Sequence, residues 1–138
     1  FHQQEPIPKD QIQALFHHLD EVLIPLKAQL AQYPVRVIAG ASAGFEIVQE
    51  ALNIPKQVPH YAEVNTALFL ETARPFYGLG LEDRRAHPQV PTDRAQLFIV
   101  SLLLNDWTIK QTRAETIWIS DFAMKEGMLD EMIQERTH

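Results

Sequence analysis

The most informative stretch of this 138-residue chain for its fold is residues 35–44, Val35-Arg36-Val37-Ile38-Ala39-Gly40-Ala41-Ser42-Ala43-Gly44. The β-branched residues in the first half favour a strand over residues 35–39, and the small residues after them predict a turn. An apolar pattern from Phe45 to Leu52 predicts a short helix that ends before Pro55. A strand, a glycine-containing turn and a helix form a unit that directs backbone N–H groups toward an anion.

Apolar patterns on both sides of this unit predict helices. From Pro8 to Tyr33 the apolar residues recur at steps of three and four, so one helix is expected there, with a kink at Pro25. Good helix formers predict a second helix over residues 63–74. Thr92 is expected to cap a third helix, which runs from residue 93 to about Trp107 and is apolar on nearly every side. A helix of that kind is predicted to be buried.

A second strand is predicted over residues 116–120, Thr-Ile-Trp-Ile-Ser. Asp121 then is expected to cap a last helix that extends to about Arg136. Two strands separated by helices predict parallel pairing through a crossover. The predicted fold class is α/β and mostly helical, with about two parallel strands flanked by five or six helices. Because two parallel strands leave edges and faces that need cover, we expect them to belong to a larger sheet.

Composition excludes several classes of protein. With 46% hydrophobic and 22% charged residues, residues 1–138 are expected to form a single globular domain. The net charge of −6 argues against DNA binding, because a phosphate backbone requires a basic surface. The absence of cysteine excludes disulfides and cysteine zinc sites. No run of about 18 apolar residues is present, so we expect no membrane partner. The absence of cysteine suits a reducing compartment, and a cytoplasmic location is expected.

The small-residue turn admits three interpretations. Read as G-x-S-x-G, it resembles a nucleophile elbow, with Ser42 as the nucleophile of a serine hydrolase. The acid and the histidine would then be Glu63 or Asp83 with His87, or Asp106 or Asp121 with His138.

In the second interpretation Gly40, Ala41, Ser42, Ala43 and Gly44 bind phosphate, because the helix start offers unpaired N–H groups and the glycines allow close approach. In the third, the small residues serve only close packing of the turn.

Three arginines, Arg84, Arg85 and Arg94, form the local basic concentration. Arg84 and Arg94 are candidates either for phosphate binding, which suits the planar donor fork of arginine, or for structural pairing with neighbouring acids. The six histidines are scattered or adjacent on a helix, where neighbours point about 100° apart, so we expect no metal site made by the protein alone.

Four segments in order resemble the exopolyphosphatase / guanosine-pentaphosphatase (Ppx/GppA) family. They are residues 1–12, the strand and turn 37–45, the segment 81–95 with its E-D-R, Pro88 and D-R-A, and residues 119–129. The last of these, I-S-D-F-A-M-K-E-G-M-L, is the most specific and is similar to the family's V-S-D-x-A-L-[RK]-E-G-[VL]-L pattern. Ala41 and Ala43 depart from the hydroxyl residues of the family's turn.

The resemblance implies the second half of a Ppx/GppA phosphatase domain, the C-terminal part of an actin-like, ribonuclease-H-like fold. It implies an enzyme that releases terminal phosphate from inorganic polyphosphate or guanosine pentaphosphate with magnesium. The family's catalytic glutamate and glycine-rich loops have no match in this chain, so it implies no catalytic residue here, no bound magnesium and no turnover by the chain alone. It further implies pairing with the remainder of the domain or formation of a homo-oligomer. A non-catalytic phosphate- or nucleotide-binding or regulatory module of the same fold is the alternative.

Overall fold

The computed structural model describes residues 6–41, 43–56 and 60–136. This part of the chain forms seven α-helices, one 3₁₀ turn (Arg74–Gly78) and three strands. The helices are α1 (Lys9–Val22), α2 (Ile24–Leu30), α3 (Ala43–Ala51), α4 (Thr66–Ala73), α5 (Leu81–Ala86), α6 (Ala95–Thr112) and α7 (Met124–Arg136). The strands are β1 (Val37–Gly40), β2 (Tyr61–Asn65) and β3 (Thr116–Ser120). The predicted mostly helical α/β class is confirmed.

The expected kinked helix at the N-terminal side is two helices instead. The chain leaves helical geometry at Leu23, and Pro25 lies in the first turn of α2. Proline is accommodated there because a helix start has no partner for its N–H group in any case. Asp20 ties these helices to α6, since its Oδ1 accepts a bond from Lys27 Nζ at 2.7 Å and from Trp107 Nε1 at 3.3 Å.

The sheet has the strand order β1-β3-β2. The predicted parallel pair is confirmed: β1 runs parallel to β3, with Val37 opposite Thr116 and Gly40 opposite Ile119. The third strand, β2, pairs antiparallel with β3 and lies where a helix was predicted, so that prediction is wrong for residues 63–65.

Alternating burial explains the error in β2. Ala62 and Val64 are buried, while Glu63 between them is exposed, which is the period of a strand with one face covered. The helix begins only after Asn65, whose Oδ1 accepts bonds from the N–H groups of Ala67 and Leu68. Helix formers continue on both sides of that cap, so the sequence pattern did not mark it.

One face of the sheet is buried. Its side chains come from all three strands: Ile38, Ile117, Ile119, Ala62 and Val64. Helix α3 contacts both β3 and α6, so it lies between the sheet and the long helix. The predicted burial of α6 is confirmed, since Phe98, Ile99, Leu102 and Leu103 are almost inaccessible to solvent. The predicted cap is wrong, because α6 begins at Ala95 with Arg94 in the N-cap position rather than Thr92.

The other face of the sheet carries exposed apolar side chains. Val37 is 37% exposed and Trp118 is 44% exposed. Within the described residues, β1 pairs only with β3, so its outer edge is open. Four apolar residues of α7 are also more than half exposed: Met128, Leu129, Met132 and Ile133. The outer sheet face, the β1 edge and this side of α7 are therefore three uncovered surfaces of the described residues.

Asp121 does not cap α7 as predicted. The helix begins at Met124, and the N–H of Ala123 donates instead to Glu126 Oε2 at 2.7 Å. Ser120 Oγ accepts from the N–H of Phe122 at 3.0 Å. Asp121 is instead held by Lys56, a side chain from a distant part of the sequence.

Candidate functional site

The candidate site lies where the parallel strands β1 and β3 end. Gly40 is the last residue of β1 and stands opposite Ile119, so the residues that follow each strand leave the sheet at the same edge. In α/β sheets ligands bind outside the carboxyl ends of the strands. Ala41 is half-buried at this edge and α3 begins at Ala43, while Ser42 lies outside the described residues.

The two glycines of the turn are explained by packing. A Cβ on Gly40 would lie 2.1 Å from the ring of Phe45. A Cβ on Gly44 would lie 2.6 Å from Oγ of Ser101 and 3.1 Å from Nδ2 of Asn105, both on α6. None of the described glycines has a positive φ. Gly40 and Gly44 therefore bring the start of α3 close to β1 and α6, as the packing interpretation of the turn requires.

The phosphate-binding interpretation of the turn depends on the backbone N–H groups at the start of α3. The first backbone N–H groups of any α-helix have no partner within the helix, and here they belong to α3, directly after β1. Groups of this kind can bind an anion in other proteins. The phosphate-binding interpretation of residues 40–44 stays a prediction that this geometry permits.

Arg94 lies beside the turn. Its Nη1 donates to Glu46 Oε2 at 3.0 Å, and both side chains are about half exposed. Glu46 belongs to the first turn of α3, where a carboxylate interacts favourably with the helix dipole but repels a phosphate. The ion pair reduces this repulsion and places an arginine within reach of the helix start.

Arg84 is fully buried, with 0% exposure. Its Nε donates to the carbonyl of Ala95 at 2.9 Å and its Nη1 to the carbonyl of Leu79 at 2.8 Å. These bonds link α5 to the start of α6, which favours the structural role of the two that the sequence allows. Arg85 donates instead to Glu82 at 2.6 Å on the surface.

Three charged or titratable side chains that the sequence did not bring together meet at the carboxyl edge. Lys56 Nζ donates to both oxygens of Asp121, at 2.6 Å and 2.5 Å. His60 Nδ1 lies 3.3 Å from Asp121 Oδ2. The hydrogen bond from Lys56 is the main reason that the pKa of Asp121 is lowered from its ordinary value, and the bond from His60 adds to it. We call these three residues the Lys56–His60–Asp121 cluster.

The strand β2 explains why sequence reasoning missed the cluster. His60 directly precedes β2, which pairs antiparallel with β3, and the N–H of Asp121 donates to the carbonyl of His60 at 3.0 Å. Without the strand, nothing places residue 60 beside residue 121. The one signal available was the alternation of Ala62, Glu63 and Val64.

The pairs proposed for a serine hydrolase do not form among the described residues. Glu63 accepts a bond from the hydroxyl of Tyr61, and Asp83 accepts one from the N–H of Gly80. Nδ1 of His87 is directed at the N–H of Gln89, and its ring packs on Phe76.

The other two candidate acids, Asp106 and Asp121, also make bonds to side chains outside the proposed pairs. Asp106 is buried and accepts a bond from Lys110 at 3.1 Å, and Asp121 is bonded to His60 and Lys56. Ser42 and His138 lie outside the described residues. The hydrolase interpretation stays a prediction. None of its described candidates forms an acid–histidine pair in which the acid precedes the histidine in the sequence.

The described residues show neither a cluster of metal ligands nor a membrane-spanning helix. Within residues 6–41, 43–56 and 60–136, no group of three or more histidine, aspartate or glutamate side chains could hold a metal ion. None of the helices in the described part of the chain is both long enough and apolar enough to span a bilayer.

Comparison with solved structures identifies proteins of the same fold. An exopolyphosphatase from Cytophaga hutchinsonii superposes with a TM-score of 0.82 at 20% identity, over 98% of this chain and 45% of its own. A Ppx/GppA family member from Aquifex aeolicus gives a TM-score of 0.77 at 19% identity, over 99% of this chain and 44% of its own. The type II variant of the Aquifex aeolicus Ppx/GppA phosphatase gives 0.73 at 20% identity, over 92% and 42%.

Sequence comparisons add nothing to this likeness. No protein-family model matches the chain, and no curated protein matches it significantly. The chain spans less than half the length of the solved structures that it resembles. The predicted resemblance is thus confirmed at the level of the fold: over nearly its whole length, the chain has the fold of one part, consistent with the C-terminal part, of the Ppx/GppA exopolyphosphatases.

Proposed function

We propose that this chain is the second half of a phosphohydrolase domain of the Ppx/GppA type. The whole domain releases terminal phosphate from inorganic polyphosphate or guanosine pentaphosphate with the assistance of magnesium. This chain forms one side of the substrate cleft, and its turn at residues 40–44 contacts a phosphate group. The acidic base and the glycine-rich phosphate loops come from the other half, so the chain alone does not turn over substrate.

One observation carries the proposal. Nearly the whole chain superposes on an exopolyphosphatase with a TM-score of 0.82, and on less than half of that enzyme. The start of α3 then lies at the carboxyl edge of β1, where α/β folds bind ligands. Arg94, held on Glu46 at 3.0 Å, supplies a positive charge beside it.

The partner of the chain is, in this proposal, the remainder of its own domain. The open edge of β1 offers unpaired backbone groups, and Val37 and Trp118 offer apolar surface beside it. In isolation the chain forms a homo-oligomer through the same surface. Sedimentation of Val37→Lys against the native chain tests this, because lysine on an edge strand opposes strand pairing.

Leu97→Lys is the matched control for the association test, since Leu97 is 73% exposed and lies on α6, which is not part of the sheet. Dissociation by Val37→Lys alone is expected. Equal behaviour of both variants would contradict pairing through β1.

The activity test compares this chain with the same chain joined to its upstream half. Phosphate release from polyphosphate with magnesium is measured for both. We expect release by the joined protein only. Turnover by the chain alone would overturn the proposal.

The alternative is a non-catalytic phosphate- or nucleotide-binding or regulatory module. Ala41, in place of a hydroxyl residue, removes one donor from the turn and favours it. A joined protein that binds polyphosphate without hydrolysing it would identify this alternative. Labelling of Ser42 by a fluorophosphonate probe would instead indicate a serine hydrolase.

A further inference from the structure

A cavity of about 490 Å³ opens to solvent between the C-terminal ends of α2 and α6 and the segment that leads into β1. Six of its lining residues are Leu30, Tyr33, Pro34, Val35, Gln111 and Arg113. Cavities of roughly 300–1,000 Å³ are typical of small-molecule sites, in which apolar walls hold the ligand and a few polar groups orient it. The volume and the mixed lining of this cavity fit that description.

The cavity lies at the amino edge of the sheet, away from the turn at residues 40–44. Val35 precedes β1 and Arg113 precedes β3, and the first residues of these strands, Val37 and Thr116, are paired. The turn follows the other end of β1. Since β1 has four residues and a strand rises about 3.3 Å per residue, about 13 Å of strand separates the two places. The cavity and the turn are therefore separate parts of this chain.

Arg113 gives the cavity a positive charge without a partner. Its backbone N–H donates to the carbonyl of Ile109 at 2.9 Å, but its guanidinium makes no hydrogen bond or ion pair with another described residue, Glu115 included. No aspartate or glutamate of the described residues lines the cavity, although the chain has a net charge of −6. The planar donor fork of an arginine matches the two oxygens of a carboxylate. One guanidinium also balances the single charge of a carboxylate, so this is the group that Arg113 suits.

The last turn of α6 holds Arg113 at the cavity. Arg113 ends this helix in the left-handed region, at φ 54° and ψ 26°, which glycine and asparagine adopt more easily than arginine does. Thr112 Oγ1 donates to the carbonyl of Thr108 at 2.9 Å, and Gln111 Nε2 donates to Asp20 Oδ1 at 3.4 Å. Because these bonds hold the last turn, this wall of the cavity is formed before a ligand binds.

The remaining lining residues suit an apolar ring. Leu30, Pro34 and Val35 contribute apolar surface from α2 and from the segment after it. The Tyr33 side chain is 70% exposed, and its ring contacts no other ring among the described residues. A ring that lies on Tyr33 and Leu30 would gain aromatic and apolar contact together. With Arg113, these residues favour a ligand that joins an aromatic ring to a carboxylate.

We propose that this cavity is a binding site for a small aromatic carboxylate. The carboxylate lies on the guanidinium of Arg113, and the ring lies against Tyr33 and Leu30. This inference goes beyond the proposed function, which uses the other end of the sheet, so either one can fail without the other.

Isothermal titration calorimetry and backbone amide NMR of this chain with benzoate test the proposal. We expect benzoate to bind and to shift the amide signals of residues 30–33 and 111–113. Benzamide has the same ring and nearly the same shape but no charge. It should bind at least about tenfold more weakly, because the charge-assisted hydrogen bonds to Arg113 are lost. Acetate, which has the charge but no ring, should also bind more weakly than benzoate.

Substitutions of two arginines separate the cavity from general surface charge. Arg113→Asn should weaken benzoate binding about tenfold, and the variant should keep its fold because asparagine is accommodated in the left-handed backbone. Arg113→Lys keeps the charge without the fork and should retain part of the affinity. Arg36 is the matched control, since it also precedes a strand at this edge and is exposed and without a side-chain partner among the described residues, but does not line the cavity. Arg36→Gln should change the affinity for benzoate by less than about twofold.

Several results would overturn the inference. They are equal affinities for benzoate and benzamide, unchanged affinity in Arg113→Asn, equal losses in Arg113→Asn and Arg36→Gln, or no binding of benzoate at about 10 mM. A peptide that ends in phenylalanine and binds at least about tenfold more tightly than benzoate would identify the terminus of a polypeptide as the ligand instead. None of these results bears on phosphate release by the joined protein, which tests the proposed function separately.

Discussion

The two faces of the sheet have similar apolar residues but opposite surroundings. On the inner face Ile117 and Ile119 are buried at 0% and 2% exposure, beneath α3. On the outer face, and on the same strand, Trp118 is 44% exposed. The alternation of a strand puts adjacent residues on opposite faces, so burial of one and exposure of the next follows from cover on one side only.

This difference gives the two faces of the sheet different roles: one stabilises the fold, and the other is available for contact with a partner. The inner face, with α3, α4 and α6, forms the hydrophobic core and stabilises the fold. The outer face, the β1 edge and the apolar side of α7 contribute little to that core. Monomeric proteins rarely expose large contiguous apolar surface without a use for it. The proposed use is contact with the rest of the domain.

The largest effect is expected from truncating neighbours on the two faces. Ile117→Ala should lower the free energy of unfolding by roughly 3–4 kcal/mol, because a fully buried side chain leaves a cavity. Trp118→Ala should lower it by only about 1 kcal/mol, since much of the ring is already in water. Urea unfolding monitored by circular dichroism measures both. Equal losses would mean that the outer face is covered in the isolated chain.

Arg84→Met tests the packed side of the molecule by removing a buried charged group instead of buried apolar atoms. The substitution keeps much of the side-chain volume but leaves the carbonyls of Ala95 and Leu79 without their donors. A loss of about 3 kcal/mol in unfolding free energy is expected. The matched surface variant Arg85→Met loses only its ion pair with Glu82 and should change stability by less than about 0.5 kcal/mol. Similar losses in both variants would refute the structural role of Arg84.

Two helical glycines lie in different surroundings, so alanine should change stability in opposite directions at the two positions. Gly44→Ala should destabilise the chain by about 1–2 kcal/mol, since the new Cβ would meet Ser101 at 2.6 Å. Gly127 has open space around its Cα, so Gly127→Ala should stabilise the chain by about 0.5–1 kcal/mol. Thermal unfolding measures both shifts. Destabilisation by Gly127→Ala would indicate close packing of α7 within the chain.

The smallest effect concerns pH and the ion pair at the carboxyl edge. The hydrogen bond from Lys56 lowers the pKa of Asp121 below its ordinary value of 3.8. The stabilisation is therefore fully present above about pH 5 and is lost as the pH falls through the lowered pKa. The stability difference between the native chain and Asp121→Asn should disappear at that acidic end. Asp20→Asn, which removes the acceptor of Lys27, is the control and should follow the same pH course. A difference that grows on acidification would contradict the assignment.

Much of the architecture was predictable from local pattern. The helical segments of the first third, the buried α6, the last helix and the parallel pair of strands all followed from the spacing of apolar residues. Caps were less predictable: Thr92 and Asp121 have the right side chains, but α6 and α7 each begin three residues later. A capping residue acts only if the backbone there turns into a helix, and neighbouring contacts decide that.

The site was only partly predictable for the same reason. The turn at residues 40–44 is contiguous in sequence and was identified, as was the basic segment that contains Arg84 and Arg94. Their different surroundings were not, because burial of Arg84 depends on the carbonyls that α5 and α6 bring to it. The Lys56–His60–Asp121 cluster joins residues 65 and 61 positions apart, which no local pattern records.

Residue order alone was enough to predict most of the helical segments, the parallel pairing of β1 and β3, and the resemblance to the Ppx/GppA enzymes. Those properties depend on residue order and on periodicities of two and 3.6, which are local. The folded structure was needed to show that β2 is a strand, that packing requires Gly40 and Gly44, and that Lys56 and His60 meet Asp121. These depend on contacts between distant residues, whose free energy exists only once the chain has folded.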